Sequence, residues 1–361
     1  MDMYNSPFPN TLFQRGRVVV GLSNIKNNPV VSILVPVYNV EQYIERCARS
    51  VFEQTYDNLE FIFVDDCTPD HSIAILEKVI EDYPERKKNT CVIHHPQNKG
   101  LKAARNTAVD ASKGTFVCHI DSDDWLEKDA IELLVNKQLE TDADIVTGRT
   151  CLDSSYHLKH KDYLCGGWNL DKEALLENIL TRKVTAVLWL RLIRKSLYFD
   201  HGIRALEGEN GAEDYEVFPR LVYYSKKVAG IDSFTYHYNW NNENSITNKT
   251  EDSVSIQKGI LKSFRSIVSF FSDKDPYLHD IVAGRVVEYI YHWLWKNNNN
   301  KNKEGYKTFL KFMKESDKRY WDRVGWNNPI KRLVEGNYYS MRMYSKYRPI
   351  IVDFYHKVKL V

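Results

Sequence analysis

Four times between Val30 and about residue 150, a short apolar run is followed by a segment whose apolar residues fall at helical spacing. The pairs are VVSILVP with EQYIERCARSVFEQ, LEFIFVD with HSIAILEKVIEDY, CVIHH with LKAARNTAVDASK, and TFVCHID with DAIELLVNKQLE. Continuous apolar strands suit a parallel sheet buried on both faces, and strand-then-helix repetition brings right-handed crossovers that supply the covering helices. The expected fold class is therefore α/β, with DADIVTGR as a fifth strand. Past residue 150 the alternation gives way to mixed segments: a helix over DKEALLENILT, an apolar stretch AVLWLRLI, a helix after GAEDYEVF, and SFTYHYN. From about residue 253 nearly every segment reads as helix. The expected organisation is a lead over 1–29, an α/β region over 30–252 and a helical C-terminal region over 253–361, with NNNNKNK at 297–303 as the clearest linker.

A chain of 361 residues suits two domains. Its 43% hydrophobic and 27% charged content excludes disorder over most of the length. Without an uninterrupted apolar run of about eighteen residues, a spanning helix is not expected. The stretch MDMYNSPFPNTLFQRGR lacks the basic-then-apolar order of a secretory signal, so the expected location is the cytoplasm. Six cysteines contain no CxxC pair, and several sit in apolar runs such as FVCHI and NTCVIH; the expectation is buried, reduced thiols. The formal net charge of +2 conceals an asymmetry. From residue 281 onward there are 17 Lys and Arg against 7 Asp and Glu, with 16 aromatic residues among them. Such a tail suits peripheral contact with an anionic leaflet, at the inner face of the cytoplasmic membrane. Nucleic acid is the competing partner for basic and aromatic residues, and packing on the main domain or homodimerisation are the others.

In open α/β sheets ligands gather outside the carboxyl ends of the strands. Those ends carry PVYN (36–39), DDCTPD (65–70), NKG (98–100) and DSDD (121–124). No GxGxxG or P-loop is present, so phosphate must be held in another way. Asp121, Asp123 and Asp124 crowd three carboxylates behind an apolar strand, where like charges raise one another's pKa unless something compensates. A divalent cation, Mn2+ or Mg2+, does so: such ions take one or two carboxylates and share the remaining positions with phosphate and water. A helix cap ahead of DWLEKDA is the plainer reading, but a cap needs one such residue, not three.

VSILVPVYNVEQYIERCARSVFEQTYDNLEFIFVDDCTPDHS, NKGLKAARNTAVDASKGTFVCHIDSDDWLE and GAEDYEVF together resemble the inverting family 2 glycosyltransferases of GT-A fold, over about residues 30–250. The resemblance implies a Rossmann-like nucleotide-diphospho-sugar transferase domain and a nucleotide-sugar donor, with a UDP-sugar as the expected one. It implies that Pro36, Tyr38 and Glu41 flank the base and ribose, that Asp66 accepts from the uracil N–H, and that Arg105 lies near the base or diphosphate. Asp121 and Asp123 would form the DxD pair, with Asp123 first and Asp124 second as metal ligand. Asp214 corresponds to the general base, with Glu213 beside it. The stretch YHYNWNNENSIT (236–247) resembles the one that closes over the diphosphate; Asn239 stands where many relatives have arginine, which leaves a cationic role open to His237. Cys67 is a second departure, where the family often has glycine.

The residue types fit inverting transfer, in which one carboxylate receives the acceptor's proton while a cation offsets charge on the departing diphosphate. Taken alone, Glu-Asp at a helix start has a simpler explanation, since acids there favour the macrodipole. Trp125 could stack on a sugar or close the sheet's edge, and His119 reads as a satisfied core histidine. The processive synthases' QxxRW sequence is missing, which implies addition of one or a few sugars. Within the resemblance, the acceptor is a hydroxyl of a glycan or a lipid-linked glycan of a bacterial surface or capsular polysaccharide. A nucleotidyltransferase would want a glycine-rich basic loop after the first strand, where PVYNVEQY offers none. A nucleic-acid-binding protein using the basic tail is the remaining alternative, and no nucleic acid is the expectation.

Overall fold

The computed structural model describes residues 28–153, 167, 169–242 and 254–297, with side chains of the last helix followed as far as Val286. The expected alternation is present: β1 (Val31–Val37), α1 (Ile44–Phe52), β2 (Leu59–Asp65), α2 (Ser72–Glu81), a short α3 (Pro84–Lys87), β3 (Thr90–His94), α4 (Leu101–Ala111) and β4 (Phe116–His119). These four strands pair in parallel in the order β3-β2-β1-β4. Then come a two-residue β5 (Trp125–Leu126), α5 (Ala130–Thr141) and β6 (Ile145–Asp153).

Beyond β4 the sheet departs from the simple pattern. DADIVTGR is a strand, β6, but it does not pair with β4. Between them lies β7 (Arg191–Arg194), antiparallel to both and drawn from the apolar stretch AVLWLRLI. The sheet ends with β8 (Val228–Asn239) parallel to β6, and β5 antiparallel to β8. Strand-then-helix periodicity reports only units that repeat, so an inserted antiparallel strand between β4 and β6 leaves no trace in it. The remaining helices are α6 (Lys172–Leu180), α7 (Ser196–Asp200), α8 (Glu213–Tyr224), α9 (Val254–Ser272) and α10 (Pro276–Asn297).

Strand side chains alternate between two cores. Val31, Ile33, Val35 and Val37 of β1 face α1, α2 and α5, whereas Leu34 faces α4, α6 and α8. The second core also takes Ile260, Leu261, Phe264, Ile267 and Phe271 of α9 and Val282 and Val286 of α10. The start of the C-terminal region is thus one body with the α/β sheet. The segment YIYHWLWKN is helical in backbone, while its aromatic side chains, the linker 298–303, the basic tail and the lead 1–27 lie outside the described residues. Among the described residues no helix is long and apolar enough to cross a membrane.

The rim at the strand ends is laced together by backbone donors. The amides of Asn39, Val40 and Glu41, after β1, donate to Thr68 Oγ1 (2.8 Å), Ser72 Oγ (3.1 Å) and Asp70 Oδ2 (2.9 Å), after β2. Asn39 and Cys67 both take positive φ, near 56°, so the loop that lacks the family's glycine reaches the same left-handed region with cysteine. Of the described cysteines, Cys47, Cys118 and Cys151 are buried and free, as expected, but Cys67 and Cys91 are free and exposed. Cys67 sits on the tight loop and Cys91 on the edge strand β3, positions that burial inferred from neighbouring apolar residues does not capture.

Ile267 is fully buried between α9 and the sheet-side core. Ile267→Ala is expected to lower unfolding free energy by about 3 kcal/mol, within the usual range for such truncations. Chemical denaturation should show a single transition shifted as a whole. Loss of α9 signal ahead of the sheet would mean that the C-terminal helices do not share its stability.

Candidate active site

Three acids and one arginine meet where α4, the β4 end and α8 converge. Arg105, on α4, is 4% exposed. Its Nη2 donates to Asp121 Oδ1 at 2.8 Å and its Nη1 to Asp214 Oδ1 at 3.0 Å, while Glu213 Oε1 stands 3.8 Å from Nη2. One guanidinium fork therefore joins the acid that ends the fourth strand unit to the acid that opens α8, 93 residues later in sequence. Asp121 and Asp214 keep about a quarter and a fifth of their side-chain surface open. Burial pushes Asp214 up to about 8, with Arg105 opposing and Glu213 and Asp121 adding to the rise. Burial likewise raises Asp121 to about 6, opposed by Arg105.

α8 begins abruptly. Gly211 (φ 128°) and Ala212 (φ 52°) turn the chain through two consecutive positive-φ residues, and three acids, Glu213, Asp214 and Glu216, occupy the first turn. Acids there gain from the helix macrodipole, as the plainer reading of the sequence holds. The structure adds what that reading lacks: Asp214 also accepts a hydrogen bond from the Leu188 amide and faces Arg105.

The DSDD loop separates its acids by task. Asp123 accepts from Asn242 Nδ2 at 2.7 Å, and burial raises its pKa. Asp124, expected as the second metal ligand, is fully buried. Its Oδ2 accepts from Tyr236 OH (2.7 Å) and its Oδ1 from the Asn239 amide (2.8 Å). The Tyr236 hydroxyl accepts in turn from the Asp121 amide (3.1 Å). Asp124 is thus a strut tying the loop to β8, with both oxygens in use, and Asp123 is the more open of the two acids expected as ligands. Among the described residues no three His, Cys, Asp or Glu side chains form a closed metal cage. The set Asp121 and Asp123 fits an ion that draws its other ligands from phosphate and water, the habit of Mg2+ and Mn2+.

Asp66 also has an inward task. Its Oδ1 accepts from the Lys99 amide (2.8 Å) and meets His95 Nδ1 (2.7 Å); its Oδ2 accepts from the Gly100 amide (2.7 Å). This 3% exposed carboxylate clamps the start of α4, directly behind the rim where the resemblance implies the base. Its neighbour Asp65 stands nearer the rim, held by the Thr68 amide (2.8 Å) and His94 Nδ1 (2.9 Å). Of the other residues implied to flank a nucleoside, Tyr38 is 47% exposed at the rim and Pro36 is buried within β1. The Glu41 carboxylate is spent on His71, accepting from its amide and meeting its Nδ1, both at 3.1 Å.

His237 belongs to a separate cluster. Its ring stacks on Trp125 (4.9 Å, 5°), Arg46 covers that indole at 3.5 Å, and His237 Nε2 meets Glu127 Oε1 at 2.7 Å. Trp125 is therefore covered on both faces and closes the sheet's edge; stacking on a sugar is not open to it. His119 Nε2 meets Tyr198 OH at 3.0 Å, its Nδ1 is buried without a partner, and burial pushes its pKa down to about 3, a neutral core histidine. Reading the sequence missed Tyr236 and Asn242. Both lie in YHYNWNNENSIT, but only strand pairing of β8 beside β5 brings them to the DSDD loop.

The model of the family described as Glycosyl transferase family 2 matches residues 32–184, from β1 through α6. That stretch is a glycosyl transferase family 2 domain. Among similar chains, EpsH of Bacillus subtilis (strain 168), named for a glycosyltransferase, is 34% identical over 221 residues, covering 58% of this chain and 60% of EpsH. Glycosyltransferase GlyA of Streptococcus pneumoniae serotype 4 is 29% identical over 211 residues, 55% of this chain and 30% of GlyA. The matches thus span less than two thirds of these relatives' lengths. In three dimensions S. aureus TarS 1-349, solved with UDP-GlcNAc, superposes with a TM-score of 0.69 at 18% identity, covering 88% of this chain and 91% of the TarS chain. The family 2 domain therefore has the GT-A fold, and the likeness covers a larger share of the chain than the family match does.

The two roles in DSDD separate by measurement. Asp124→Ala strands the Tyr236 hydroxyl and the Asn239 amide in the core and is expected to cost about 2–3 kcal/mol in chemical denaturation. Asp123→Ala, at the rim, should cost under about 1 kcal/mol. Equal losses would contradict the division of labour drawn here.

Proposed function

We propose that this family 2 domain transfers a sugar from a UDP-sugar to a hydroxyl of a glycan or lipid-linked acceptor in bacterial surface polysaccharide synthesis, by single displacement with inversion. The observation that carries this reading is the Arg105 fork, which brings Asp214 and the DSDD loop to one rim. The relatives named for glycosyltransferases, and the UDP-GlcNAc bound by the similarly folded TarS, support the donor class.

In this reading Tyr38 and Asp66 receive the nucleoside, as the resemblance implies, with Tyr38 exposed at the rim and Asp66 at the end of β2. Asp123 with Asp121 would hold Mn2+ or Mg2+, which when bound offsets charge developing on the departing diphosphate. Asp214 takes the acceptor's proton. A base must be ionised to act, and one whose pKa lies near the working pH couples adequate ionisation to adequate basicity. Burial, not a special partner, supplies the shift. Arg105 limits it and keeps Asp121 and Asp214 oriented. Release after one or a few sugars, and peripheral membrane contact through the basic tail, belong to the same proposal.

The test is Mn2+-dependent hydrolysis of, and transfer from, UDP-glucose, UDP-galactose, UDP-GlcNAc and UDP-GalNAc. Asp214→Asn should bind UDP as the parent does and lose at least a hundredfold in turnover; full turnover would remove the base assignment. The pH dependence has a defined sign. Because Asp214 is raised to about 8 and acts ionised, kcat/KM should fall as pH drops through the range from about 8 to 6. Glu213→Gln removes a like charge and should move that fall to lower pH.

A further inference from the structure

The turn that delivers Asp214 is strained, and much of what holds it comes from α9, outside the matched family domain. Gly211 and Ala212 both have positive φ, and non-glycine residues there persist only where surroundings over-determine them. Three contacts do this. The Gly211 carbonyl accepts from Ser263 Oγ of α9 at 2.9 Å. Asn210 Oδ1 accepts from the Leu101 amide, at the start of α4, at 3.0 Å. α9 passes so close that a Cβ on Gly259 would lie 2.0 Å from the Asn210 carbonyl oxygen. Ser263 is also the hub of a buried network: Lys102 Nζ donates to its Oγ at 2.7 Å, and Glu216 Oε2 lies 3.1 Å from that oxygen. Lys102, Glu216 and Ser263 are all fully buried. Glu216 Oε1 accepts from the Leu206 amide at 3.2 Å, binding the start of the same loop. Lys102 stands one turn before Arg105 on α4, and Glu216 two residues after Asp214 on α8.

We propose that α9 is a working part of the active site: Ser263, with Lys102 and Glu216, and the bare backbone at Gly259 are positioning elements that fix the 210–212 turn and thereby aim Asp214. A hydrophobic contact would have sufficed to dock α9. A buried Lys–Glu pair with a hydroxyl between them is instead an orienting device, since each donor and acceptor is satisfied in only one register. The network joins the helix bearing Arg105, the helix bearing Asp214 and the turn between them and α9. It touches neither the DSDD loop nor the nucleoside rim, so it should act on turnover and leave donor binding alone.

This inference rests on the base assignment made above for Asp214, and one experiment separates the two. Ser263→Ala, Gly259→Ala and, as a control, Ile267→Ala are compared in the full chain with UDP and UDP-GlcNAc in the presence of Mn2+, with the other three UDP-sugars as further donors. UDP-binding sites are counted by calorimetry, and turnover is expressed per binding site. Ser263→Ala and Gly259→Ala are expected to keep UDP affinity and donor KM within about twofold and to lose at least tenfold in kcat. Ile267→Ala, which destabilises α9 without touching the turn, should keep kcat per site within twofold. If both turn variants retain parental kcat per site, or Ile267→Ala loses as much as they do, α9 is only packing and the proposal is overturned, while the base assignment stands. If Asp214→Asn turns over donor as the parent does, or the parent turns over none of the four, the base assignment falls and this inference falls with it.

Discussion

The site depends on one buried cation. Burial raises the pKa of both Asp121 and Asp214, and the neighbouring charge of Glu213 adds to each rise. With Arg105 bonded, Asp121 lies at about 6 and Asp214 at about 8; without it both would hold their protons to higher pH, and nothing would fix their directions. With it, two carboxylates are bonded to opposite arms of one planar group, which sets both charge and angle. The position of Arg105 is itself fixed from below. Asp66 holds the amides of Lys99 and Gly100 at the start of α4, where Gly100 takes φ 89°. An acid at the end of β2 therefore determines where a helix starts, and that helix carries the arginine that organises acids from β4 and α8.

The first four strands and their helices were legible because buried parallel strands and amphipathic helices each impose their own periodicity on sequence. β7 was not, because its pairing with β4 and β6 is a fact of topology that apolar content does not encode. The acids were legible as a group, and which of two neighbours is tied into the core was not. DSDD and DDCTPD each present adjacent carboxylates, and in both one of them is held inward by partners distant in sequence. Neighbouring residues at a strand end face opposite ways, but the first loop residue breaks the alternation, so counting from the strand cannot say which acid is the strut. The deciding partners, Tyr236, Asn239, Lys99 and Gly100, are more than thirty residues away in sequence.

A similar limit applies to the C-terminal helices. Their helical character followed from spacing, but their share in the core did not. Phe264, Ile267 and Phe271 pack with Leu221 and Val222 of α8, so the helix carrying Asp214 is held between the sheet and α9. One hydrophobic core continues across residue 252, where the sequence pattern changes. The likeness to TarS 1-349 covers 88% of this chain.

The acid levels in this cluster follow from the balance of two opposing effects. Burial acts on Asp214 to keep it neutral, and Arg105, bonded to it, acts to keep it ionised. A more exposed carboxylate would be ionised at all working pH values and would be a feeble base. One buried without the arginine would hold its proton and be no base at all. The outcome near 8 places Asp214 between these limits, where a modest rise in pH or the removal of one neighbouring negative charge changes its ionised fraction severalfold. The same arginine bonds Asp121, so the charge on the metal-side acid and that on the acceptor-side acid are not independent quantities. Burial of a single guanidinium between a strand-end acid and a helix-start acid thus sets the proton affinity of the acceptor side through a contact shared with the donor side.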